Sequence, residues 1–373
     1  MSEFFSKYNK KFENIEEIPN FSLNNPYFFG LVKGDVGIEI ELEGNRLPTQ
    51  GHLEKVKGAT SQTYWRVERD GSLRNGGLEY VLNTPAMISE VPELVDGLWD
   101  VFKQLSSTLD LTNRCSTHVH VNMSNRKINE ISSVLALWTV FEEALIAWNG
   151  EMRTSNHFCL SAKDSPRVTN GWLSFLKSGE RRYEEETYKY ASVNLCALYK
   201  YGSLEFRCGR GADSPEMVKN WTKFLHSMCE YAMKTYSNPS TLGYSLSEEG
   251  GRSIFNRICN QAGLMTFYDE VINSVENFDR SCISGFRNAQ PFIMGIPWDS
   301  WMDKINRDFI PQPFGKTKKK SPEMLFIDEP MMARTAGGAI RGTGGRITNP
   351  ARWVDFDNTR AFEAFAPAPP RER

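Results

Sequence analysis

Three short stretches of this chain place ionisable side chains two residues apart: Glu39-Ile40-Glu41, His118-Val119-His120 and Glu205-Phe206-Arg207. In an extended strand, residues two apart share a face. Each stretch therefore gathers its polar groups on one side and turns its apolar residue to the other. Clustered carboxylate oxygens suit hard cations such as Mg²⁺ or Mn²⁺, and a minority imidazole is more comfortable with Mn²⁺ or Zn²⁺. An Arg fork beside such carboxylates matches phosphate oxygens. The combination points to chemistry on a nucleotide phosphate. A wetted antiparallel face also carries charges that have no task, but three such motifs on faces of the same kind favour a site. No G-x-x-x-x-G-K-[ST] loop occurs, and Gly209-Arg210-Gly211 is not a dinucleotide fingerprint. No Ser-His-Asp or Cys-His set has a supporting motif, and Cys115, near the His pair, reads as a packed thiol.

The elements that must position these groups follow from periodicity. Residues 35–43 alternate with period two, putting Val36, Ile38, Ile40 and Leu42 on one face and Glu39, Glu41 and Glu43 on the other. Residues 64–69 and 78–82 read as a hairpin around Asp70-Gly71 and Asn75-Gly76-Gly77. Further strands are expected at 116–123, 189–197 and 202–208; in the second of the set, Ser192, Asn194 and Cys196 oppose Val193 and Leu195. Apolar residues at three- and four-residue steps predict helices over 90–108 and 130–148. Ser214-Pro215-Glu216 opens another, with Ser as N-cap and Pro in the first turn. An α+β fold follows: a mostly antiparallel sheet, helices on one face and an open polar face opposite.

Composition narrows the class. The chain has 373 residues, 44 Lys+Arg against 46 Asp+Glu, and a net charge of −2. That balance argues against coating nucleic acid or an anionic membrane. Mean hydropathy is −0.46, and no unbroken run of ~18 apolar residues offers itself as a membrane span. The first residues lack a signal-peptide pattern. Seven Cys without CxxC spacing read as reduced thiols, so a cytoplasmic location is expected, the host cytoplasm if the chain is phage-encoded. Along the chain we expect an N-terminal arm (1–30), a catalytic domain (31–238), a helical and loop extension (239–315) and a basic, Gly- and Pro-rich flexible tail (316–373). Within the catalytic domain, the charged stretch 150–188 is expected to be a lid or insertion, with Arg153, Lys163, Arg167, Arg181 and Arg182 as candidate phosphate or substrate contacts.

The ordered motifs carry a resemblance. Gly37-Ile38-Glu39-Ile40-Glu41, Asp70-Gly71-Ser72-Leu73, Leu78-Glu79-Tyr80-Val81 with Pro85, Thr117-His118-Val119-His120-Val121-Asn122, Val193-Asn194-Leu195 and Ser203-Leu204-Glu205-Phe206-Arg207 together resemble the amidoligase family. These are phage and bacterial carboxylate–amine ligases of the glutamine synthetase and glutamate–cysteine ligase fold. The likeness spans residues 35–236. It implies Glu39, Glu41, Glu79, His118 and Glu205 as metal ligands, His120 near the nucleotide phosphates, and Arg207 as phosphate clamp. Asp70 and Asn122 match family positions in the substrate or outer shell; with them the resemblance implies Arg207, Glu79 and Asp70 as catalytic residues and His120, Arg207 and Asn122 as nucleotide-binding ones. Glu43 and Asn194 join the set by strand parity alone.

The implied cofactors are ATP and Mg²⁺ or Mn²⁺, and the implied partners are a carboxylate and an amine, peptide or protein included. The γ-phosphate would pass to the carboxylate, and an amine would displace phosphate from the acyl phosphate. Two other readings stay open. One is a metal-dependent hydrolase on the same Glu/His face. The other is a non-catalytic phage assembly protein with a ligase-like fold, whose extension after 240 binds a protein partner.

Overall fold

The computed structural model describes residues 34–55, 64–124, 126–164, 169–173, 190–296 and 298. The expected arm 1–30 and tail 316–373 lie outside these residues, as do Arg167, Arg181 and Arg182 and about half of the expected lid. The strands are β1 (Val36–Leu42), β2 (Gly44–Asn45), β3 (Trp65–Glu68), β4 (Leu78–Leu82), β5 (Thr108–Leu109), β6 (Ser116–Asn122), β7 (Val193–Asn194) and β8 (Ser203–Arg210). Six of them form one sheet in the order β3-β4-β1-β6-β8-β7, every neighbouring pair antiparallel. The α+β architecture with a mostly antiparallel sheet is therefore present.

The helices are α1 (Gln50–Lys55), α2 (Val91–Gln104), α3 (Ile128–Trp148), α4 (Ala197–Lys200), α5 (Pro215–Thr235), α6 (Pro239–Gln261), α7 (Met265–Asn273) and α8 (Phe278–Met294). Alternation decides which sheet face they cover. Val36, Ile38, Ile40 and Leu42 are all buried, and the Tyr80 ring meets Phe102 of α2 at 5.2 Å. Trp138 of α3 packs on Phe206 of β8 at 5.0 Å, and Trp65 donates its Nε1–H to Leu94 of α2 (3.0 Å). Such interlocking aromatics contribute beyond the area they bury.

α3 is apolar around most of its circumference, so one sheet cannot satisfy it. It is long and apolar enough to cross a membrane, yet most of it is buried inside the fold. Its outer side is covered by α6 and α8: Phe141 meets Phe255 at 5.0 Å, and Gly285 of α8 lies so close that a Cβ there would stand 2.3 Å from the Val140 carbonyl. The segment after 238 thus begins with helices that share the core. α6 is two helices joined at Gly250, whose φ of 76° a side chain would strain.

The strand expected over 189–197 is confined, among the described residues, to Val193–Asn194. The Asn194 side chain accepts the Cys196 N–H (3.0 Å), turning the chain away from the sheet and into α4. Ser214 caps α5 as expected, accepting the Met217 N–H (3.3 Å). All seven cysteines are buried and unpaired.

Candidate metal and phosphate site

Register brings the motifs together. Glu39 of β1 lies directly opposite His118 of β6, and His120 lies opposite Glu205 of β8, which lies opposite Asn194 of β7. Directly opposed residues point to the same face. Ligand atoms of Glu39, His118 and Glu205 all fall within 4.8 Å of one another, the one such group of three among the described residues. Pairing of β6 with β8 is irregular here: Arg207 and Cys208 together fall opposite His118, a bulge that re-aims the strand beside the cluster.

His118 is the hub, with 2% of its surface exposed. Its Nδ1 stands 3.3 Å from Glu39 and 3.7 Å from Glu205. Its Nε2 lies 2.7 Å from the Ser116 hydroxyl, which donates to Glu41. Since the Ser116 proton goes to Glu41, its oxygen accepts from Nε2–H. Its other nitrogen, Nδ1, faces two carboxylates, an arrangement that a cation between them would satisfy. Ser116 did not figure among the sequence candidates. Strand parity with His118 was the signal that would have found it.

The other groups are tuned by the same neighbours. Burial would raise the Glu39 carboxyl, but His120 and His118 outweigh it and hold it well below the ordinary value. Burial would lower His120, yet Glu39, 3.3 Å from its Nε2, draws it upward, while Ser203 lies 2.9 Å from Nδ1. Glu205 is likewise pushed up by burial and pulled down further by Arg207, which donates to one carboxylate oxygen. Asn194 donates to the other (2.6 Å). The Arg207 guanidinium is also fixed by Phe158, whose carbonyl accepts its Nε–H (3.4 Å).

Glu41 and Glu79 face each other across β1 and β4, and Glu68 faces Glu79 across β3. They form a carboxylate row beside the cluster of three rather than part of it. Burial, then Glu39, Glu41, Asp70 and Glu68, raise Glu79 to about 8. Asp70 is therefore within electrostatic reach of Glu79, and its carboxylate caps the turn by accepting the Ser72 N–H.

Three expected residues serve the scaffold. Both polar groups of Asn122 bond to main chain, donating to Gly34 (2.8 Å) and accepting from Ser124 (2.8 Å). Glu43, beyond the end of β1, accepts from Arg74 N–H and from the Thr112 hydroxyl, tying the 70–74 turn to the segment before β6. Arg153 is buried and donates to the carbonyls of Arg207 (2.6 Å) and Cys115 (3.4 Å). Lys163 is exposed. One further group was not anticipated: the Tyr201 ring sits edge-on to His120 at 5.5 Å, its hydroxyl raised to about 12 by burial and by Glu39 and Glu205.

No family model matches this chain, and no curated protein matches it.

Proposed function

We propose that this chain is an ATP-dependent carboxylate–amine ligase of the amidoligase family, its sheet a glutamine synthetase-like platform, forming an amide or isopeptide bond. The observation that carries the reading is the convergence of Glu39, His118 and Glu205 within 4.8 Å, with Arg207 bonded to Glu205. Two carboxylates and an imidazole with its far nitrogen anchored suit Mn²⁺ or Mg²⁺. Glu39, His118 and Glu205 would hold the ion, with Glu41 and Glu79 completing the acidic set. A divalent ion bound there supplies charge neutralisation for phosphate oxygens.

The chain's own residues do the rest. Arg207 presents a planar fork to a transferring phosphoryl group, and His120, drawn toward its charged form by Glu39, adds positive charge beside it. Glu41 orients His118 through Ser116. In the reaction, a carboxylate oxygen of the acid substrate attacks the γ-phosphorus and ADP leaves with the bridging oxygen. The amine nitrogen then attacks the acyl carbon and loses a proton as inorganic phosphate departs. Alignment and charge neutralisation supply the catalysis.

The test is incubation of the protein with ATP, Mg²⁺ or Mn²⁺ and paired acid and amine libraries, peptides included. ADP and an adduct lighter by one water are expected, both lost in Glu39→Gln and Arg207→Ala. Turnover of a phosphoester or amide without ATP would assign the same residues to a hydrolase instead. A protein that binds neither ATP nor metal would support the non-catalytic assembly reading.

A further inference from the structure

A second concavity lies away from the motifs above. Between α3, α8 and the segment 153–164 is a cavity of about 320 Å³, whose lining includes Glu142, Arg153, Ser161, Lys163 and Asp164. That volume lies within the range of small-ligand pockets, toward its lower end.

Its lining charges are of both signs, and two of them are buried. Arg153 is 2% exposed; its guanidinium touches two main-chain carbonyls, and its Nε–H has no hydrogen-bond acceptor. Among the described residues no carboxylate lies within ion-pair distance of it. A buried guanidinium without a counter-anion is expensive, and an anionic ligand group would relieve it. Glu142 is 3% exposed; its Oε1 accepts from Trp138 and Ser192, and its Oε2 accepts the Ala162 N–H (2.8 Å). An oxygen with one donor retains room for another.

The mixture selects the ligand class. A simple anion here would meet Glu142, Glu143 and Asp164, and a simple cation would meet Arg153 and Lys163. A molecule carrying both charges meets each with its opposite. We propose that this cavity binds a small zwitterion of the α-amino-acid class, its carboxylate toward Arg153 and Lys163 and its ammonium toward Glu142 and Asp164.

The cavity also shares a wall with the candidate metal and phosphate site. Cys159 lines it, while the preceding residue, Phe158, holds Arg207 through its carbonyl, and Arg153 holds the Arg207 main chain. The proposal does not depend on the ligase reading, because it needs neither ATP nor metal.

Titration calorimetry on the full chain, without nucleotide or divalent ions, tests it against glycine, L-glutamate and L-lysine, with acetate and methylammonium as single-charge controls. At least one amino acid should bind tenfold or more tightly than both controls. Glu142→Gln and Lys163→Gln should each weaken that binding fivefold or more, with unchanged circular dichroism. Asp164→Asn, on the exposed rim, gives the same readout if a buried substitution disturbs folding. The proposal fails if no amino acid exceeds both controls, or if the rim and buried variants bind as the parent does.

Discussion

His118 stands across the strand pair from Glu39, its Nδ1 3.3 Å from a Glu39 oxygen, while Ser116 secures its other nitrogen at 2.7 Å. The side chain is thus held from behind by a neutral relay to Glu41 and aimed at a gap between carboxylates. Outer-shell partners of a metal-bound imidazole typically govern ~10–100-fold in affinity. Ser116→Ala should therefore weaken Mn²⁺ binding by about tenfold, and Glu39→Gln should weaken it further. Calorimetric titration with MnCl₂ is the measurement. A Ser116→Ala protein that binds Mn²⁺ like the parent would remove the relay from the account. Saturating Mn²⁺ should also raise the parent's melting temperature by several degrees, since ligand at ~100 times its Kd adds ~2.7 kcal/mol.

Arg207 is bonded to Glu205 and to the Phe158 carbonyl, so its planar group is fixed before any ligand arrives. Lysine keeps the charge and loses the fork. Under the proposed function, Arg207→Lys should lower kcat/KM for ATP by ~100-fold, read as ADP release. Mn²⁺ affinity in the same protein should change much less. A near-normal kcat/KM would show that a point charge suffices.

Glu43 is the informative contrast, because parity alone would put it with Glu39 and Glu41. It is 1% exposed and accepts from Arg74 N–H and Thr112. A clamp of this kind supports the fold rather than the ion. Glu43→Ala leaves both donors without their acceptor and should cost about 3 kcal/mol in urea unfolding. Mn²⁺ affinity measured on the folded fraction should stay within about twofold of the parent. A selective loss of metal binding at full stability would instead make Glu43 a ligand.

Strand parity was legible in the sequence because a two-residue period states which side chains share a face. It placed Glu39, His118 and Glu205 on polar faces, but it could not say that β1 runs between β4 and β6. That neighbour relation, which puts Glu39 opposite His118 and Glu41 opposite Glu79, comes from long-range pairing. Parity also failed where a strand ended early. Glu43 lies past the end of β1, and the Asn194 side chain stops β7 after two residues. The helices after 238 were hard to read because Gly250 breaks the period of α6. Two of their three starts were nonetheless marked, by Asn238 before Pro239 and by Asn277, each capping its helix. Ser116, a small hydroxyl among larger charges, carries its meaning only through its two partners.

Glu142 gives the clearest pH signature. Burial raises its carboxyl from the ordinary 4.5 to about 7; bonds from Ser192, Ala162 and Trp138 offset part of this, and Asp164 adds repulsion. The folded protein therefore binds a proton here that the unfolded chain has released between pH 4.5 and 7. The stability linked to that proton is complete below about 4.5 and is lost as pH rises through 7, by about 3 kcal/mol in all. Glutamine is neutral at every pH and can keep the contacts: its oxygen accepts from Ala162, and its amide donates to the Ser192 hydroxyl, which also receives the Trp138 N–H (3.2 Å). Glu142→Gln should match the parent near pH 5 and exceed it by about 2–3 kcal/mol at pH 8 in denaturant melts. The same substitution is expected to weaken amino-acid binding in the cavity, so the gain in stability and the loss of binding should appear in one protein. Equal pH profiles for parent and variant would mean that Glu142 titrates in the folded chain where it does in the unfolded one.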